Sequence, residues 1–189
     1  MSVADKVAAI FTGPEVAKIH FRLGRLEVSP QRLRGVGEAI KKGAIEVVVA
    51  TSGGMLSAAY SPHPDRMTIP DDKLTSNTSR SGILHEGVHA LVDIYNCKEV
   101  LVLDDEVAAY IAETIYLKAL GAKISGDAAA MKIYKAADAV AQAHGLYKKR
   151  GVRLKLSDVD ELRKAIHAHP AYSGIKAGAK TSGHGLHKH

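Results

Sequence analysis

Near the middle of the chain lies the stretch Ser81-Gly-Ile-Leu-His85-Glu86-Gly-Val-His89-Ala-Leu-Val-Asp-Ile-Tyr95. On an α-helix, residues four apart lie on one face, so His85 and His89 can direct their imidazoles at a common atom. Glu86 lies beside them, within reach of a water molecule on that atom. Histidines and a carboxylate at this spacing bind zinc and provide a general base for hydrolysis. The stretch therefore predicts a zinc site with Glu86 as the base.

The residues around this motif predict a helix over about 81–96. No proline interrupts the segment, and apolar side chains recur at helical spacing; they are Leu84, Val88, Leu91, Val92 and Tyr95. A simpler interpretation stays open, in which the histidines are ordinary core or surface residues of a helix that binds no metal.

A catalytic zinc needs a third protein ligand and keeps a further position open for water. A second helix is predicted over about 104–121, with acidic residues in its first turn, where the positive end of the helix dipole favours them. Within it Glu106 is the predicted third ligand, because the intervening loop is long enough for the chain to return to His89. Three other acids remain alternatives, namely Asp104, Asp105 and Glu113.

The pattern His85-Glu86-x-x-His89, followed by a second helix that carries Glu106, resembles the gluzincin class of zinc metallopeptidases. The resemblance covers residues 81–117 and is closest to the compact single-domain members of that class. It implies that His85, His89 and Glu106 hold one Zn²⁺ per chain and that Glu86 activates the water. It also implies that the substrate is a peptide or protein.

One position departs from the gluzincin pattern. Many members carry an aspartate one turn after the ligand glutamate, where it orients a ligand histidine, whereas this chain has Tyr110. Metal-bound histidines usually need such a partner on their other ring nitrogen. Asp93, one turn after His89, could supply it, as could a backbone carbonyl. Asp93 could equally be a solvated carboxylate.

The segment before the motif predicts a small antiparallel sheet. The β-branched run 45–51 is typical of a buried strand, and the turn Ser52-Gly53-Gly54 leads into a returning strand over 55–61. A second turn at 62–65 precedes a third strand over 66–70, which Pro70 should end or confine to an edge. Met55–Tyr60 could align a substrate by strand addition, or be an ordinary structural strand.

The fold expected is therefore α+β and zincin-like, with a small antiparallel sheet packed on the active-site helix pair and additional C-terminal helices. Those further helices are predicted over 29–43, 127–143 and 157–167. Several side chains could contact a substrate carbonyl, although a structural role is the favoured interpretation of each; they are His144, His167, His169, Tyr95, Tyr110 and Tyr172.

Length and composition predict one domain over 1–170 and a flexible tail over 171–189 that is rich in Gly, Lys and His. No run is long and apolar enough to span a membrane, and the first residues lack the features of a signal peptide. The single cysteine, Cys97, fits a reducing compartment. We therefore expect a cytoplasmic protein.

The net charge of +6 is unevenly distributed, with acids around the predicted zinc site and basic residues mostly after it. An acidic surround favours a cation and disfavours a polyanion. With two Phe, no Trp and no binding motif, the sequence argues against a nucleic-acid partner. The alternative to a peptidase is a non-catalytic metal-binding or protein-interaction domain on the same scaffold.

Overall fold

The computed structural model describes residues 1–50, 57–176, 178–181 and 185–186. These residues form helices and short strands, which we number in chain order. The helices are α1 (Val3–Ile10), α2 (Pro30–Lys41), α3 (Asn77–Ile94), α4 (Val102–Ala119), α5 (Ala128–Ala143) and α6 (Asp160–His167). The strands are β1 (Phe21–Leu23), β2 (Leu26–Val28), β3 (Glu46–Val49), β4 (Ala59–Ser61), β5 (Arg66–Ile69) and β6 (Val152–Leu154).

The α+β class predicted from the sequence is confirmed. One sheet has the strand order β2-β1-β6 and the other β3-β5-β4. In the first sheet β1 is antiparallel to β2 and parallel to β6. None of the helices in the described part of the chain is both long and apolar enough to cross a membrane.

The predicted antiparallel arrangement of the upstream strands is confirmed for β4 and β5 and wrong for β3. The last of the three strands, β5, occupies the centre, where it pairs in parallel with β3 and antiparallel with β4. It takes this place because Met67 and Ile69 are fully buried, whereas the residues of β3 and β4 are partly exposed. The strand ends at Ile69, before Pro70, as expected. The predicted turn at 52–54 and the start of the strand predicted over 55–61 lie outside the described residues.

Two long helices, α3 and α4, pack against each other and carry the motif and the predicted third ligand. Their close approach depends on small side chains of α4, since Ala108, Ala109 and Ala112 are fully buried. The start of α3 at Asn77 precedes the predicted one because the Ser76 side chain caps the helix by accepting the backbone N–H of Ser79.

Part of the tail that the sequence predicts to be flexible is held in place. Lys180 forms an antiparallel bridge with Leu101, in the loop between α3 and α4. The backbone N–H of Val102 donates to Ala179 O, and the N–H of Thr181 donates to Val100 O, each at 2.8 Å. The loop has backbone N–H and C=O groups that need hydrogen-bond partners, and Ala179 and Thr181 are those partners.

Candidate metal centre

The HExxH motif of α3 brings together side chains that could hold a metal ion. His85, Glu86 and His89 each offer one ligand atom, and these atoms all lie within 4.8 Å of one another. His85 is buried and the other two are half-buried, so the group is shielded without being closed. Helical spacing alone places the two imidazoles on one face, as the sequence predicts.

The Glu106 carboxylate, in the first turns of α4, faces the ε nitrogens of both histidines. Its Oε2 lies 3.4 Å from Nε2 of His85, and its Oε1 lies 3.6 Å from Nε2 of His89. Oε2 is buried and makes no hydrogen bond to any residue in the described ranges. A buried carboxylate oxygen without a donor is costly, and a metal ion would satisfy it.

The δ nitrogens of the same histidines point away from Glu106, toward two further acids. Nδ1 of His85 lies 3.1 Å from Oε2 of Glu113, and Nδ1 of His89 lies 2.9 Å from Oδ2 of Asp105. Each imidazole is therefore held on one side by a carboxylate and presents its other nitrogen to Glu106. This arrangement fixes the ring orientation that metal ligation requires.

These contacts distinguish among the four acids that the sequence left as candidates for the third ligand. Asp105 and Glu113 lie on the δ side of the imidazoles, and Asp104 binds the guanidinium of Arg163 through Nε at 2.9 Å. Among the four, Glu106 alone lies against Nε2 of both histidines.

The δ nitrogens of the two histidines are held by acids of α4, whereas the sequence left the choice open between Asp93 and a backbone carbonyl. Asp93 accepts a hydrogen bond from the Tyr60 hydroxyl at 2.8 Å, whereas Asp105 contacts His89. Glu113 performs the equivalent role for His85, two helical turns after Glu106 and on the same side of α4. That spacing is the signal by which the sequence could have indicated it as a supporting residue.

Glu113 is itself held by two hydroxyl groups. Its Oε1 accepts hydrogen bonds from Ser81 on α3 and Tyr134 on α5, each at 2.9 Å. The residue is buried, so these two donors and His85 satisfy a charge that would be costly without them. The contacts tie three helices together around one imidazole.

Glu86 is positioned by the neighbouring sheet. Its Oε2 accepts the backbone N–H of Tyr60, on the edge strand β4, at 2.8 Å. The described part of Met55–Tyr60, the segment that could align a substrate, includes residues of this edge strand. Its Tyr60 N–H already donates to Glu86 and is not available to a substrate. Burial raises the pKa of Glu86 above its usual value, although His89 and His85 oppose the shift.

The neighbouring acids outweigh the effect of burial on the pKa values of the two histidines. Burial alone would lower the pKa of His85, but Glu106 and Glu113 outweigh it and hold that pKa well above the usual value. For His89, Asp105 and Glu106 similarly overcome burial and raise the pKa to about 9. Burial would raise the pKa of Glu106, but His85 and His89 lower it. The acids around the histidines therefore favour a positive charge at the imidazoles, which either a proton or a metal ion can supply.

A cavity of about 440 Å³ opens onto these side chains. Among the candidate carbonyl-binding residues, Tyr172 lines it, and the Tyr172 hydroxyl is hydrogen-bonded to the Tyr110 hydroxyl at 2.8 Å. The remaining wall comes from α3, β4, the start of α4 and the tail; it consists of Tyr60, Pro62, Val92, Asp93, Val102, Asp105, Lys180 and Thr181.

The other candidates lie elsewhere. Tyr95 is 41% exposed and packs under the Arg32 guanidinium. His144 lies 3.9 Å from an oxygen of Asp158, and His169 packs on the ring of Tyr172. His167 ends α6 on the surface. None of these side chains lines the cavity at the motif.

Comparison of the chain with models of protein families, with curated proteins and with solved structures gave no match. The similarity to gluzincins is therefore limited to the HExxH cluster and receives no support from a family or a structural neighbour. What the structure supports is a His85-Glu86-His89 group that could hold a metal ion.

Proposed function

We propose that this protein is a zinc-dependent peptide hydrolase in which His85, His89 and Glu106 hold the metal and Glu86 is the general base. One observation carries the proposal. Two histidine ε nitrogens converge on a buried carboxylate whose Oε2 has no hydrogen-bond donor among the described residues, while both δ nitrogens are held by other acids.

The spacing of these atoms fits a tetrahedral ion. Zinc lies about 2.0–2.2 Å from nitrogen and oxygen ligands, so two ligands of a tetrahedral site are about 3.3–3.5 Å apart. The Nε2–oxygen separation at His85, 3.4 Å, falls in that range, and the one at His89, 3.6 Å to the other carboxylate oxygen, lies just above it. They exceed the length of a good hydrogen bond, which is about 2.7–3.2 Å for a nitrogen donor and an oxygen acceptor.

Glu86 suits the role of base better than that of ligand. Its carboxylate is anchored to the Tyr60 backbone rather than to the imidazoles, and it lines the cavity where a water molecule and a peptide would lie. Burial raises its pKa toward neutrality, which is where a residue that first accepts and then donates a proton is most effective.

Each residue then has a distinct task. A bound zinc would supply Lewis acidity, polarising a carbonyl and lowering the pKa of a water molecule. Glu86 would take a proton from the attacking water and pass it to the leaving amine. Tyr172 stays protonated because burial raises its pKa, so its hydroxyl can donate to the carbonyl oxygen as negative charge develops there. Asp105 and Glu113 keep both imidazoles oriented.

One observation favours the alternative, a non-catalytic metal-binding or protein-interaction domain. Lys180 and Thr181, which belong to the tail, line the same cavity as Glu86 and narrow the space for a substrate. A domain that only binds metal would tolerate this arrangement, whereas a peptidase must admit a peptide beside it.

The test uses the full-length chain with the tail histidines His184, His187 and His189 changed to Gln, so that they cannot bind zinc. About one zinc per chain is expected by elemental analysis, and His89→Ala should lose it. Glu86→Gln should keep the zinc, because the amide oxygen can still accept the Tyr60 N–H. It should reduce cleavage of a peptide library by about 10²–10⁴-fold.

Two results would contradict the proposal. Absence of zinc from the tail variant, even after reconstitution, would remove the metal site. Unchanged cleavage by Glu86→Gln would remove the assigned base. Stoichiometric zinc without cleavage of any peptide would favour the non-catalytic alternative.

A further inference from the structure

A second cavity, of about 410 Å³, lies between α4, α5 and the loop that joins them. It shares no lining residue with the cavity at the metal centre. Nothing in the proposed hydrolysis uses it. Its size is within the range of pockets that hold small organic molecules, which are about 300–1,000 Å³.

The cavity has an excess of positive charge. Lys118 on α4, Lys123 in the loop and Lys135 on α5 line it. Within the described residues, no carboxylate oxygen lies within 4.0 Å of the ammonium group of any of the three. The acidic lining residue, Asp138, has its oxygens engaged by the Tyr147 hydroxyl and the Gln142 amide. The lysines are therefore available to an anion.

The rest of the wall is largely apolar. Ile124 and Met131 contribute aliphatic surface, and Tyr134 and Tyr147 contribute rings. The Lys118 ammonium lies 5.7 Å from the centroid of the Tyr147 ring, so positive charge and aromatic surface are adjacent. A ligand that matches this wall has an apolar body and an anionic head.

A buried hydroxyl group at the same cavity lacks a partner. Thr114 belongs to the lining, is fully buried, and its Oγ1 makes no hydrogen bond to any residue in the described part of the chain. A threonine inside a helix commonly donates to a carbonyl of the preceding turn, and buried polar groups rarely remain unpaired. The hydroxyl has no exposed surface, so an anion in the cavity is held by the lysines and not by Thr114.

We propose that this cavity binds a small organic anion that carries an aliphatic or aromatic body and one carboxylate or phosphate head. The lysine ammonium groups pair with the head. The body packs against Met131 and the tyrosine rings. The site requires no metal, so it stands or falls independently of the proposed hydrolase.

The cavity also lies close to the metal centre in the hydrogen-bond network. The Tyr134 ring lines the cavity, while its hydroxyl donates to Glu113, the carboxylate that holds Nδ1 of His85. A ligand that contacts this ring would touch a residue only two contacts from the δ nitrogen of His85.

Isothermal titration of the full-length protein with octanoate, octyl phosphate and 1-octanol tests the proposal. We expect saturable binding of at least one anion at one per chain, with the tighter one identifying the head group, and binding of 1-octanol at least tenfold weaker. The double variant Lys118→Gln/Lys135→Gln should bind about tenfold more weakly, because an exposed ion pair accounts for up to about fivefold. Lys132→Gln, on the same helix but outside the lining, should change binding less than twofold.

Thr114→Val serves as a further control, because the hydroxyl is buried behind the wall of the cavity. Valine keeps the volume and removes the unpaired group, so the Tm should be equal or higher while anion binding stays within twofold. Three results would overturn the proposal: no saturable binding of either anion, octanol binding as tight as the anions, or an equal loss in Lys132→Gln.

Discussion

Among individual residues, Glu113 is a side chain that does not face the proposed metal position but contacts one of its proposed ligands. It accepts hydrogen bonds from Ser81 and Tyr134 and lies against Nδ1 of His85. In Glu113→Gln one carboxylate oxygen becomes an NH₂ group. That group is a donor and would face other donors, so His85 would lose the contact that orients its ring. We expect zinc affinity to fall about 10–100-fold, as is typical for such supporting residues.

A competition assay with a chromophoric chelator measures this loss. Glu38→Gln, on the exposed face of α2, makes the same chemical change away from the site and should leave zinc affinity unaltered. Circular dichroism of both variants should match that of the original protein. If Glu113→Gln bound zinc as tightly as Glu38→Gln did, the orientation of His85 would not depend on this carboxylate.

The sequence predicts those residues of the site that lie on one helix, because helical spacing fixes their relative positions. His85, Glu86 and His89 are placed on one face by geometry within a single helix. The contacts of Asp105, Glu113 and Tyr60 with these residues depend on how α4 and β4 approach α3. That approach is set by the packing of Ala108, Ala109 and Ala112, and no local pattern contains it.

At the scale of elements, the packing of the motif helix against the N-terminal segment depends on Gly87. A Cβ at this position would lie 2.0 Å from Cε1 and 2.5 Å from Cζ of Phe11. Overpacking of this kind costs about 1–3 kcal/mol, which should outweigh the helix-propensity gain of about 1 kcal/mol. Gly87→Ala should therefore lower the free energy of unfolding by up to about 2 kcal/mol, measured by urea denaturation.

A second glycine of the same helix provides the control. A Cβ on Gly82 would have Ala58 N, at 3.8 Å, as its nearest neighbour, so Gly82→Ala should be neutral or stabilise the protein by up to about 1 kcal/mol. Changing Phe11 to Leu beside Gly87→Ala should recover part of the loss by removing the ring edge. Equal stability of the two alanine variants would show that Phe11 moves aside without cost.

Helices and strand pairings differ in how far they can be anticipated. The bounds of α2 and α5 follow from the spacing of their apolar residues and from nearby residues that favour helix ends. Pro30 at the start of α2 and Gly145 after α5 are examples. The pairing of β3 with β5 joins segments separated by another strand, and β1 pairs with β6 from the far end of the chain. These pairings are decided by which apolar faces reach the core, which is a property of the complete fold.

At the scale of the whole molecule, Lys180 and Thr181 of the tail form one side of the cavity beside the HExxH motif. Its residues pair with the loop between α3 and α4, and Thr181 Oγ1 donates to Cys97 O at 3.0 Å. Lys180 Nζ lies 2.7 Å from an oxygen of Glu99, and both side chains are more than half exposed. The sequence could not indicate this docking, because a Gly-rich and Lys-rich segment carries no apolar periodicity.

A chain that ends at Ile175 should keep the fold and the zinc but open the cavity. Loss of the backbone and side-chain hydrogen bonds to residues 97–102 should lower the free energy of unfolding by about 1–3 kcal/mol, at roughly 1 kcal/mol for each bond. Because Lys180 and Thr181 no longer narrow the cavity, kcat/KM for peptide cleavage should rise, mainly through a lower KM. Lys180→Gln in the full chain should have a small effect, since its ion pair with Glu99 is exposed. Lower kcat/KM in the shortened chain, with zinc retained, would show instead that the tail holds the peptide.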